Sequence, residues 1–387
     1  MTLRPNDAGG RTTGRTGTRD EVDVSLFLPS LNQGGAKRVM LNVADYLHTS
    51  GYRVEIVLAR KEGEFLAHVP QGIEVRSFEK RVSRTVTDLI QYLHRREPKV
   101  LLSTIHSTNV VATWAGVLAR TSTDVVLREA TTISNQRNEF ENGLERLISP
   151  VVKYTYPFAD RYVAISDGVK SDLVRHTGVQ TDEVRTIYNP IYTPEIAKRA
   201  NEPVDHPWFD ADHDVLLGVG RLTMQKDFAT LIRAFSRVRR YRDARLIILG
   251  EGDRRGELER LTERTGLTDV IDLPGYVENP YKYMAKSDLF VLSSAWEGFG
   301  NVIVEAMACG TPVVATDCES GPAEILDEGS YGRLAPVGDP TALADSIVDS
   351  LNEPDEPDRL RERAAEFSTD EIMESYERAL FGFPPVP

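Results

Sequence analysis

Two glutamates eight positions apart lie where a predicted strand gives way to a predicted helix. The segment from Ser293 to Thr316 reads SSAWEGFGNVIVEAMACGTPVVAT, which puts Glu297 in the loop and Glu305 in the first or second turn of the helix. Open α/β sheets bind ligands at the carboxyl ends of their strands. We therefore expect both carboxylates to face one cleft, where they can accept hydrogen bonds from sugar or ribose hydroxyl groups.

The start of the same helix offers backbone donors to an anion. The first N–H groups of a helix have no partner within it, and the helix dipole favours negative charge there. Solvated acids at a helix start are the alternative, but the neighbouring glycines favour a ligand site. The stretch is predicted to hold the sugar and diphosphate of an activated sugar donor through five consecutive residues: Gly298, Phe299, Gly300, Asn301 and Val302.

A second candidate segment, GVGRLTMQKDF, carries two cations at the end of another predicted strand. Arg221 and Lys226 flank the short loop that precedes the next helix. A guanidinium fork and an ammonium point charge can converge on a pyrophosphate. A solvated basic loop is the alternative, but the position at a strand's carboxyl end favours phosphate binding.

Further turns between strand and helix add candidates on both halves of the chain. Gly34 and Gly35 let a ligand approach the backbone, although they do not form the G-x-G-x-x-G fingerprint of dinucleotide sites. In LGEGD, Gly250 borders the expected nucleotide position. A nucleobase can lie against the loop that contains Tyr276 and Val277, where a plain loop is an equal alternative.

Two titratable residues follow strands of the N-terminal half. His106 comes after VLLST, and Glu129 comes after the strand that contains Val125–Leu127. Both positions belong to the edge of the sheet that faces the expected cleft. Each is a candidate catalytic residue, with a satisfied structural side chain as the alternative. The segment from Glu141 to Phe158 mixes basic, aromatic and aliphatic residues, and we favour inward packing over contact with a membrane surface.

Composition excludes several classes of protein. The chain has 387 residues, a net charge of −13 and two cysteines. Strong acidity disfavours a broad nucleic-acid surface, because phosphate neutralisation needs clustered basic residues. Two cysteines form no disulfide framework and lack zinc spacing. No apolar run is long enough for a transmembrane helix, and no signal peptide is visible. A cytoplasmic protein is expected.

Alternating apolar runs and helical stretches predict βαβ units and parallel sheets in two similar halves. Residues 1–20 are predicted to form a disordered tail, because they are poor in apolar side chains. A proline-rich linker is expected at 191–213. The predicted strands are Val24–Ser30, Arg53–Ala59, Ile73–Phe78, Val100–Thr104, Val125–Leu127, Tyr162–Ile165, Val184–Ile187, Val215–Gly220, Leu246–Gly250, Val270–Leu273 and Asp288–Leu292, with one more that begins at Val313.

The assembled motifs resemble those of the family 4 glycosyltransferases, retaining enzymes with the GT-B fold. The resemblance runs from about Val22 to the C-terminus, and the motif from Glu297 to Thr316 matches the family's E-x7-E pattern. The other matching motifs are NQGG (32–35), VAISDGVKSDL (163–173), IYNPI (187–191) and GRLTMQKDF (220–228).

The resemblance implies an α/β fold of two facing Rossmann-like domains with parallel sheets. It implies an acceptor-side domain at 21–190, a nucleotide-sugar-binding domain at 214–368, and a C-terminal helix at 369–387 that returns to the first domain. A UDP or GDP sugar would donate to a glycan or lipid-linked sugar, with retention and without a metal or cofactor. Peripheral contact with the cytoplasmic face of a membrane is also expected.

The family's roles are carried over by position. Arg221 and Lys226 would bind the diphosphate, Glu305 the ribose and Glu297 the sugar hydroxyls, while Gly35 would approach the phosphate from the other domain. Relatives often have a histidine after the strand matching Val125–Leu127, where this chain has Arg128, Glu129 and Ala130. Glu129 or His106 is the candidate substitute beside the anomeric carbon.

Other functions remain open on the sequence alone. A GT-B sugar-nucleotide epimerase or a phosphorylase would use a similar site. A non-catalytic partner subunit would keep the fold, although intact Glu297, Glu305, Arg221 and Lys226 argue against it. A nicotinamide oxidoreductase is the most distant alternative, because the dinucleotide fingerprint is missing.

Overall fold

The structure is a computed structural model that describes residues 21–32, 34–134 and 148–382. The predicted tail at 1–20, part of the segment from Glu141 to Phe158, and the last five residues lie outside this range. No helix in the described part of the chain is long and apolar enough to cross a lipid bilayer.

The N-terminal half forms a seven-stranded parallel sheet in the order β3-β2-β1-β4-β5-β6-β7. The order changes direction between β1 and β4, which creates a crevice at their carboxyl ends. Both strands are fully buried, as their unbroken apolar runs predict. The strands are β1 (Val24–Leu28), β2 (Val54–Leu58), β3 (Glu74–Ser77), β4 (Val100–Thr104), β5 (Asp124–Glu129), β6 (Arg161–Ala164) and β7 (Val184–Thr186).

Five helices accompany this sheet in the described residues. Helix α1 buries one apolar stripe, which includes Val39, Val43 and Leu47, against the core. Its first residue is Gly35, so its N-terminus opens at the carboxyl end of β1. The helices are α1 (Gly35–Thr49), α2 (Val86–Arg96), α3 (His106–Ala119), α4 (Ile148–Thr155) and α5 (Asp167–Thr177).

The C-terminal half forms a six-stranded parallel sheet in the order β10-β9-β8-β11-β12-β13. Its direction changes between β8 and β11, so the loops that follow these two strands flank a second crevice. These loops contain Lys226 and Glu297. The strands are β8 (Asp214–Val219), β9 (Ala244–Leu249), β10 (Ile271–Gly275), β11 (Leu289–Leu292), β12 (Val313–Thr316) and β13 (Arg333–Ala335).

Helices pack on both faces of the second sheet, and the predicted α/β alternation is confirmed. One further helix, α6 (Pro194–Ala200), lies in the segment predicted as a linker. The remaining helices are α7 (Phe228–Val238), α8 (Arg255–Thr265), α9 (Tyr281–Met284), α10 (Asn301–Cys309), α11 (Pro322–Ile325), α12 (Pro340–Asn352), α13 (Pro357–Ala365) and α14 (Thr369–Phe381).

The last helix, α14, lies against the N-terminal sheet. Its Tyr376 hydroxyl accepts a hydrogen bond from Arg128 Nε at 2.7 Å. The Tyr52 hydroxyl donates to Glu377 at 2.5 Å, and Arg161 donates to the carbonyl oxygen of Leu380. The chain therefore crosses between its two halves a second time at its C-terminal end.

The two halves also touch through the start of helix α5. The Glu324 carboxylate accepts the backbone N–H groups of Asp167 at 2.8 Å and Gly168 at 2.9 Å. Ser166 Oγ donates to the carbonyl oxygen of Gly298 at 2.8 Å. A carboxylate at a helix N-terminus is a favourable arrangement, so these contacts hold the two domains together.

Candidate active site

A cleft of about 470 Å³ opens between the carboxyl edges of the two sheets. Both crevices at the direction changes of the sheets contribute to it. Eleven of the residues predicted for the site line this cleft: Gly34, Gly35, Arg221, Lys226, Tyr276, Glu297, Phe299, Gly300, Asn301, Val302 and Glu305. The structure thus brings together residues that lie far apart in the sequence, from Gly34 to Glu305.

The loops after β8 and β11 meet in an ion pair. Lys226 Nζ contacts Glu297 Oε1, and the Ser294 hydroxyl donates to the same oxygen at 2.6 Å. Glu297 is only 6% exposed, so its charge depends on these partners. The Gln225 side chain donates to the carbonyl oxygen of Trp296 at 3.1 Å and ties the two loops together. The pair holds an ammonium and a carboxylate at a fixed place in the cleft wall.

Helix α10 begins at the cleft without a side-chain cap. Its N-cap, Gly300, has a φ of 100°, a left-handed conformation that favours glycine. Asn301 and Val302, the first two helical residues, line the cleft. Uncapped N–H groups at a helix start form an anion site together with the helix dipole.

Helix α1 of the other domain begins opposite. Its N-cap, Gly34, also lacks a side-chain cap, and its first turn contains no acidic residue. A Cβ atom at Gly35 would lie 3.3 Å from Asn301 Nδ2, so the two helix starts almost touch. Two positive helix ends and the cations of Arg221 and Lys226 therefore face the same space, which suits a diphosphate.

Glu305 lies in the second turn of α10, partly exposed at the cleft. Burial raises its pKa above the ordinary value, an effect that Arg38 and Tyr281 oppose. The Tyr281 hydroxyl lies 3.4 Å from Glu305 Oε1. A carboxylate in this position can accept two neighbouring hydroxyl groups, as a ribose presents them.

Several residues of the cleft are absent from the set predicted from the sequence. They include Arg38, Asn42, Asn189, Gln225 and Tyr281. For two of them a signal is present: Arg38 and Asn42 follow Gly35 at helical spacings of three and seven, and so share its face of α1. Asn189 follows the short strand β7 and lies in the IYNPI motif (187–191), which carries the resemblance to the family but gives this residue no predicted role.

Three residues predicted to bind the donor do not line the cleft. A Cβ atom at Gly250 would lie 1.9 Å from the carbonyl oxygen of Gly220. The glycine therefore allows two backbone segments of the domain to pack closely. Val277 packs against the hydrophobic core. A Cβ atom at Gly298 would lie 2.3 Å from the carbonyl oxygen of Ala130, so this glycine permits contact between the domains.

His106 and Glu129 do not reach the cleft either. Both are 1% exposed and face each other, with 3.0 Å between His106 Nε2 and Glu129 Oε2. This approach lacks the alignment of a hydrogen bond. Glu129 Oε1 accepts from Asn109 at 2.6 Å and from the Tyr156 hydroxyl. His106 and Glu129 occupy the predicted ends of their strands, but both side chains point into the domain and do not line the cleft.

No group of three or more histidine, cysteine, aspartate or glutamate side chains in the described residues is arranged to hold a metal ion. Within that part of the chain, Glu297 and Glu305 are therefore separate carboxylates rather than members of a metal-binding cluster.

Two protein-family models match the chain, one on each domain. The model "Glycosyltransferase Family 4" matches residues 33–194, and "Glycosyl transferases group 1" matches residues 205–367. Together they leave only the two termini and a short stretch of the linker unmatched.

Known relatives and solved structures agree with these models. The chain is 29% identical over 351 residues to a Campylobacter jejuni enzyme named N-acetylgalactosamine-N,N'-diacetylbacillosaminyl-diphospho-undecaprenol 4-alpha-N-acetylgalactosaminyltransferase, covering 87% of this chain and 91% of that one. It is 33% identical over 207 residues to the lipopolysaccharide core glycosyltransferase LpsE of Rhizobium meliloti, covering 52% and 59%.

Among solved structures, HepE of Anabaena in complex with UDP and glucose superimposes with a TM-score of 0.76 at 21% identity. The match covers 94% of this chain and 100% of HepE. This likeness establishes the GT-B fold that the sequence motifs predict. With both domains matched by family models, the chain belongs to the family 4 glycosyltransferases.

Proposed function

We propose that this glycosyltransferase moves a sugar from a UDP-sugar to a hydroxyl group of a lipid-linked glycan, with retention of the anomeric configuration. The observation that carries the proposal is the convergence of Lys226, Arg221 and two uncapped helix starts on one cleft that also holds Glu297 and Glu305. Cations and N–H donors suit a diphosphate, and the two carboxylates suit hydroxyl groups. The HepE structure with UDP and glucose supports the choice of UDP.

The proposed donor position follows from the chemistry of the cleft wall. The diphosphate lies between Lys226 and the start of α10, where charge on the departing nucleotide is stabilised. Glu305 accepts the ribose hydroxyls, and Glu297 accepts the sugar hydroxyls. Tyr276, which is 64% exposed at the rim, lies beside the base.

Retention is supported by what the acceptor side of the cleft presents. An inverting transfer needs a base on the face opposite the leaving group. Among the described cleft residues, the carboxylates are Glu297 and Glu305, both on the donor side, and no aspartate, glutamate or histidine comes from the N-terminal wall. The acceptor hydroxyl then attacks on the face that the diphosphate vacates, and the leaving phosphate takes the acceptor's proton.

Acid is expected to weaken donor binding through Glu305. Since burial raises its pKa above 4.5, protonation removes the charged ribose acceptor at a higher pH than for an ordinary glutamate. We expect KM for the UDP-sugar to rise as pH falls through this raised pKa. The effect of acid on folding stability has the opposite sign. The folded state binds the Glu305 proton more tightly than the unfolded chain does. Protonation of this group therefore adds folding stability as pH falls towards 4.5.

The measurement is KM between about pH 5 and 8, made with the intact UDP-sugar because a terminal phosphate itself titrates near pH 6. Glu305→Gln is the control: its KM is expected to be higher throughout and independent of pH in this range. A wild-type KM equal to that of Glu305→Gln at every pH would contradict the assignment of Glu305 to the ribose.

Closure of the two domains is expected to depend on Gly168. A Cβ atom there would lie 2.3 Å from Ser320 Cβ and 2.6 Å from the carbonyl oxygen of Glu319. Gly168→Ala should push the domains apart and lower kcat/KM by about 10- to 100-fold, the size of effect that misplacement by about 1 Å produces. Alanine favours helices over glycine, so helix α5 itself should not weaken.

The control for this variant is Ser171→Ala, which changes an exposed position on the same helix. Small-angle scattering should show a larger radius of gyration for Gly168→Ala than for wild type or Ser171→Ala. If Gly168→Ala keeps wild-type kcat/KM, the contact between α5 and the second domain is not part of the active state.

The choice of a lipid-linked acceptor rests on a surface of the N-terminal domain. The name of the Campylobacter jejuni relative specifies an undecaprenol-linked acceptor. In this chain, six of the ten large apolar side chains that are exposed in the described residues belong to α3, α4 and the turn after α4: Trp114, Val117, Leu118, Val151, Tyr154 and Phe158. We call these six residues the aromatic face.

The aromatic face has the chemistry of a membrane contact. The indole N–H of Trp114 donates to Thr155 Oγ1 at 3.1 Å. The Trp114 ring packs against the Phe158 ring, so the two aromatic side chains form one surface. Tryptophan and tyrosine favour the boundary between lipid and water. Arg120 and Lys153 flank this face, and neither forms an ion pair within the described residues. These two cations therefore give the face a local positive charge on a chain whose net charge is −13. We infer that the face contacts anionic lipid. Inward packing, the favoured interpretation of this segment, accounts for Val152, Thr155 and Tyr156 among the side chains that the structure describes at 151–158.

Vesicle sedimentation tests this contact. Wild type is expected to sediment with vesicles that contain phosphatidylglycerol, and the double variant Leu118→Glu, Tyr154→Glu is expected to stay in solution. The matched control is Tyr241→Glu, which changes a tyrosine 75% exposed on the other domain. Equal sedimentation of the double variant and the control would exclude the aromatic face as the contact.

A donor screen tests the function itself. Nucleotide release from labelled UDP-sugars, with membrane extract as the source of acceptor, should yield labelled glycolipid with the donor's anomeric configuration. Isomerised donor would indicate an epimerase, and sugar phosphate would indicate a phosphorylase. The absence of both nucleotide release and calorimetric binding of UDP and GDP would indicate a non-catalytic subunit and contradict the proposal.

A further inference from the structure

A buried arginine lies directly behind the cleft wall. Arg128, at the end of β5, is fully buried, and its three donor groups all meet neutral oxygens. Nε donates to the Tyr376 hydroxyl at 2.7 Å, Nη1 to Thr104 Oγ1 at 3.2 Å and Nη2 to Asn189 Oδ1 at 2.6 Å. No carboxylate in the described residues lies within ion-pair distance of it. A buried charge without a counter-ion is costly, so its retention calls for an explanation.

The hydrogen bonds of Arg128 lead to the donor site in two steps. Asn189 lines the cleft, and its Nδ2 donates to Asn301 Oδ1 at 2.8 Å. Asn301 is the first residue of α10, the helix whose start faces the cleft. The series therefore runs from the C-terminal helix α14 through Arg128 and Asn189 to the cleft.

The direction of this series follows from the chemistry of arginine. A guanidinium donates hydrogen bonds and never accepts them. Asn189 must therefore turn its oxygen towards Arg128, which leaves its NH2 group to meet Asn301. Asn301 must in turn present its oxygen to Asn189, and its own NH2 group is left on the other side. Because Arg128 can only donate, it determines the orientation of both amide groups. The shape of an amide does not determine this orientation, since its oxygen and nitrogen are nearly the same size.

The free NH2 group of Asn301 points across the cleft. Nδ2 lies 3.3 Å from the position of a Cβ atom at Gly35, between the starts of α1 and α10. No hydrogen-bond acceptor for Nδ2 is present in the described residues, and the atom borders the space where an anion would lie. A glycine at position 35 leaves this donor accessible.

We propose that Arg128 is a positioning residue for the donor: through Asn189 it fixes Asn301 so that the Asn301 side chain donates a hydrogen bond to the diphosphate of the nucleotide. The inference rests on the proposed function, because it needs a diphosphate in the cleft. The positive charge of Arg128 is compensated when this anion binds, and the same charge polarises the amides in the direction that favours donation. This accounts for a buried guanidinium that lacks a carboxylate.

Asn189→Asp tests the proposal by reversing one link. Aspartate accepts from Arg128 as asparagine does and supplies the missing counter-ion, so the melting temperature should be unchanged or higher. It cannot donate to Asn301, which must turn its NH2 group towards the new carboxylate and its oxygen towards the diphosphate. We expect Kd for UDP, measured by calorimetry on the full chain, to rise about 10- to 100-fold. A structural role alone would leave UDP binding at its wild-type strength.

A double-mutant cycle separates this route from direct repulsion between the new carboxylate and the phosphate. Asn301→Ala removes the amide and is expected to weaken UDP binding by about 5- to 10-fold. When Asn189 acts through Asn301, adding Asn189→Asp to Asn301→Ala should weaken binding by less than about threefold more. Full additivity of the two effects would overturn the proposal.

The outcomes distinguish the two levels of inference. Wild type that binds neither UDP nor GDP would overturn the proposed function and this inference together. Wild type that binds UDP, combined with an Asn189→Asp variant of equal affinity, would overturn the positioning role of Arg128 and leave the proposed function intact. Where GDP is the tighter ligand of wild type, the same cycle is measured with GDP.

Discussion

Lys226→Ala is expected to lower kcat by about 10²- to 10³-fold, the usual effect of removing a preorganised stabiliser of developing charge. The Lys226 ammonium lies at the end of the loop after β8 and contacts Glu297, so it is held at the cleft wall before the donor arrives. When the bond between sugar and phosphate breaks, negative charge grows on the diphosphate. Because the ammonium needs no reorganisation to meet this charge, it lowers the barrier of the chemical step rather than KM alone.

The loss of Lys226 also leaves the buried Glu297 carboxylate without its cation, which would lower stability. Lys226→Gln separates the two effects, since it keeps a hydrogen-bond donor for Glu297 without the charge. We expect it to melt at a higher temperature than Lys226→Ala, because a hydrogen-bond donor is kept, and to lose as much kcat. Lys286→Ala, which changes an exposed lysine of the same domain, is the matched control and should be fully active. Turnover near the wild-type value in Lys226→Gln would exclude a role in leaving-group stabilisation.

Glu297→Gln is expected to separate nucleotide binding from sugar transfer. Glutamine keeps the size of the side chain but loses the charged acceptor, so kcat/KM should fall by about 10- to 100-fold. Without Glu297, the Lys226 ammonium is released for the diphosphate, and Kd for UDP should stay unchanged or become lower. Calorimetry with UDP and initial rates with the UDP-sugar measure the two effects on the same preparation.

Because Lys226 and Glu297 act as one unit, the double variant Lys226→Ala, Glu297→Gln should lose much less than the product of the two single losses. If the losses of activity in the two single variants multiply in the double variant, Lys226 and Glu297 act independently and the ion pair has no role in catalysis. Weakened UDP binding in the Glu297→Gln variant would indicate that Glu297 contacts the nucleotide rather than the sugar.

The sequence predicts most strands because parallel strands buried on both faces appear as continuous apolar runs. The strand β13 (Arg333–Ala335) escapes prediction because it has only three residues and begins with an arginine. Helix α6 escapes prediction because Pro194 is one of several prolines that suggest a linker. Proline is favoured in the first turn of a helix, which is its place here.

The donor side of the site is predictable because it is nearly contiguous in sequence. Glu297, the glycines and Glu305 lie on one loop and one helix, so their spacing carries the geometry. The acceptor-side wall is different, because Arg38 and Asn189 reach the cleft from elements far apart in the chain. Arg38 shares a helix face with Gly35 and Asn189 lies in the IYNPI motif, but only tertiary packing brings the two residues to one cleft.

The sequence also does not predict the direction in which side chains point at the strand ends. The expected edge of the sheet is correct for His106 and Glu129, but both point inward and meet each other. Their neighbour Arg128 is fully buried although arginine is rarely buried without a carboxylate. Its environment includes Tyr376 of the last helix, so only the complete fold creates it.

A crystal structure of the protein with UDP tests the proposed donor site most directly. We expect the β-phosphate within hydrogen-bond distance of Lys226 Nζ and of the first N–H groups of α10, with both ribose hydroxyls on the Glu305 carboxylate. UDP bound elsewhere, or bound in this cleft with its ribose away from Glu305 and its phosphates away from α10, would contradict the proposed donor site.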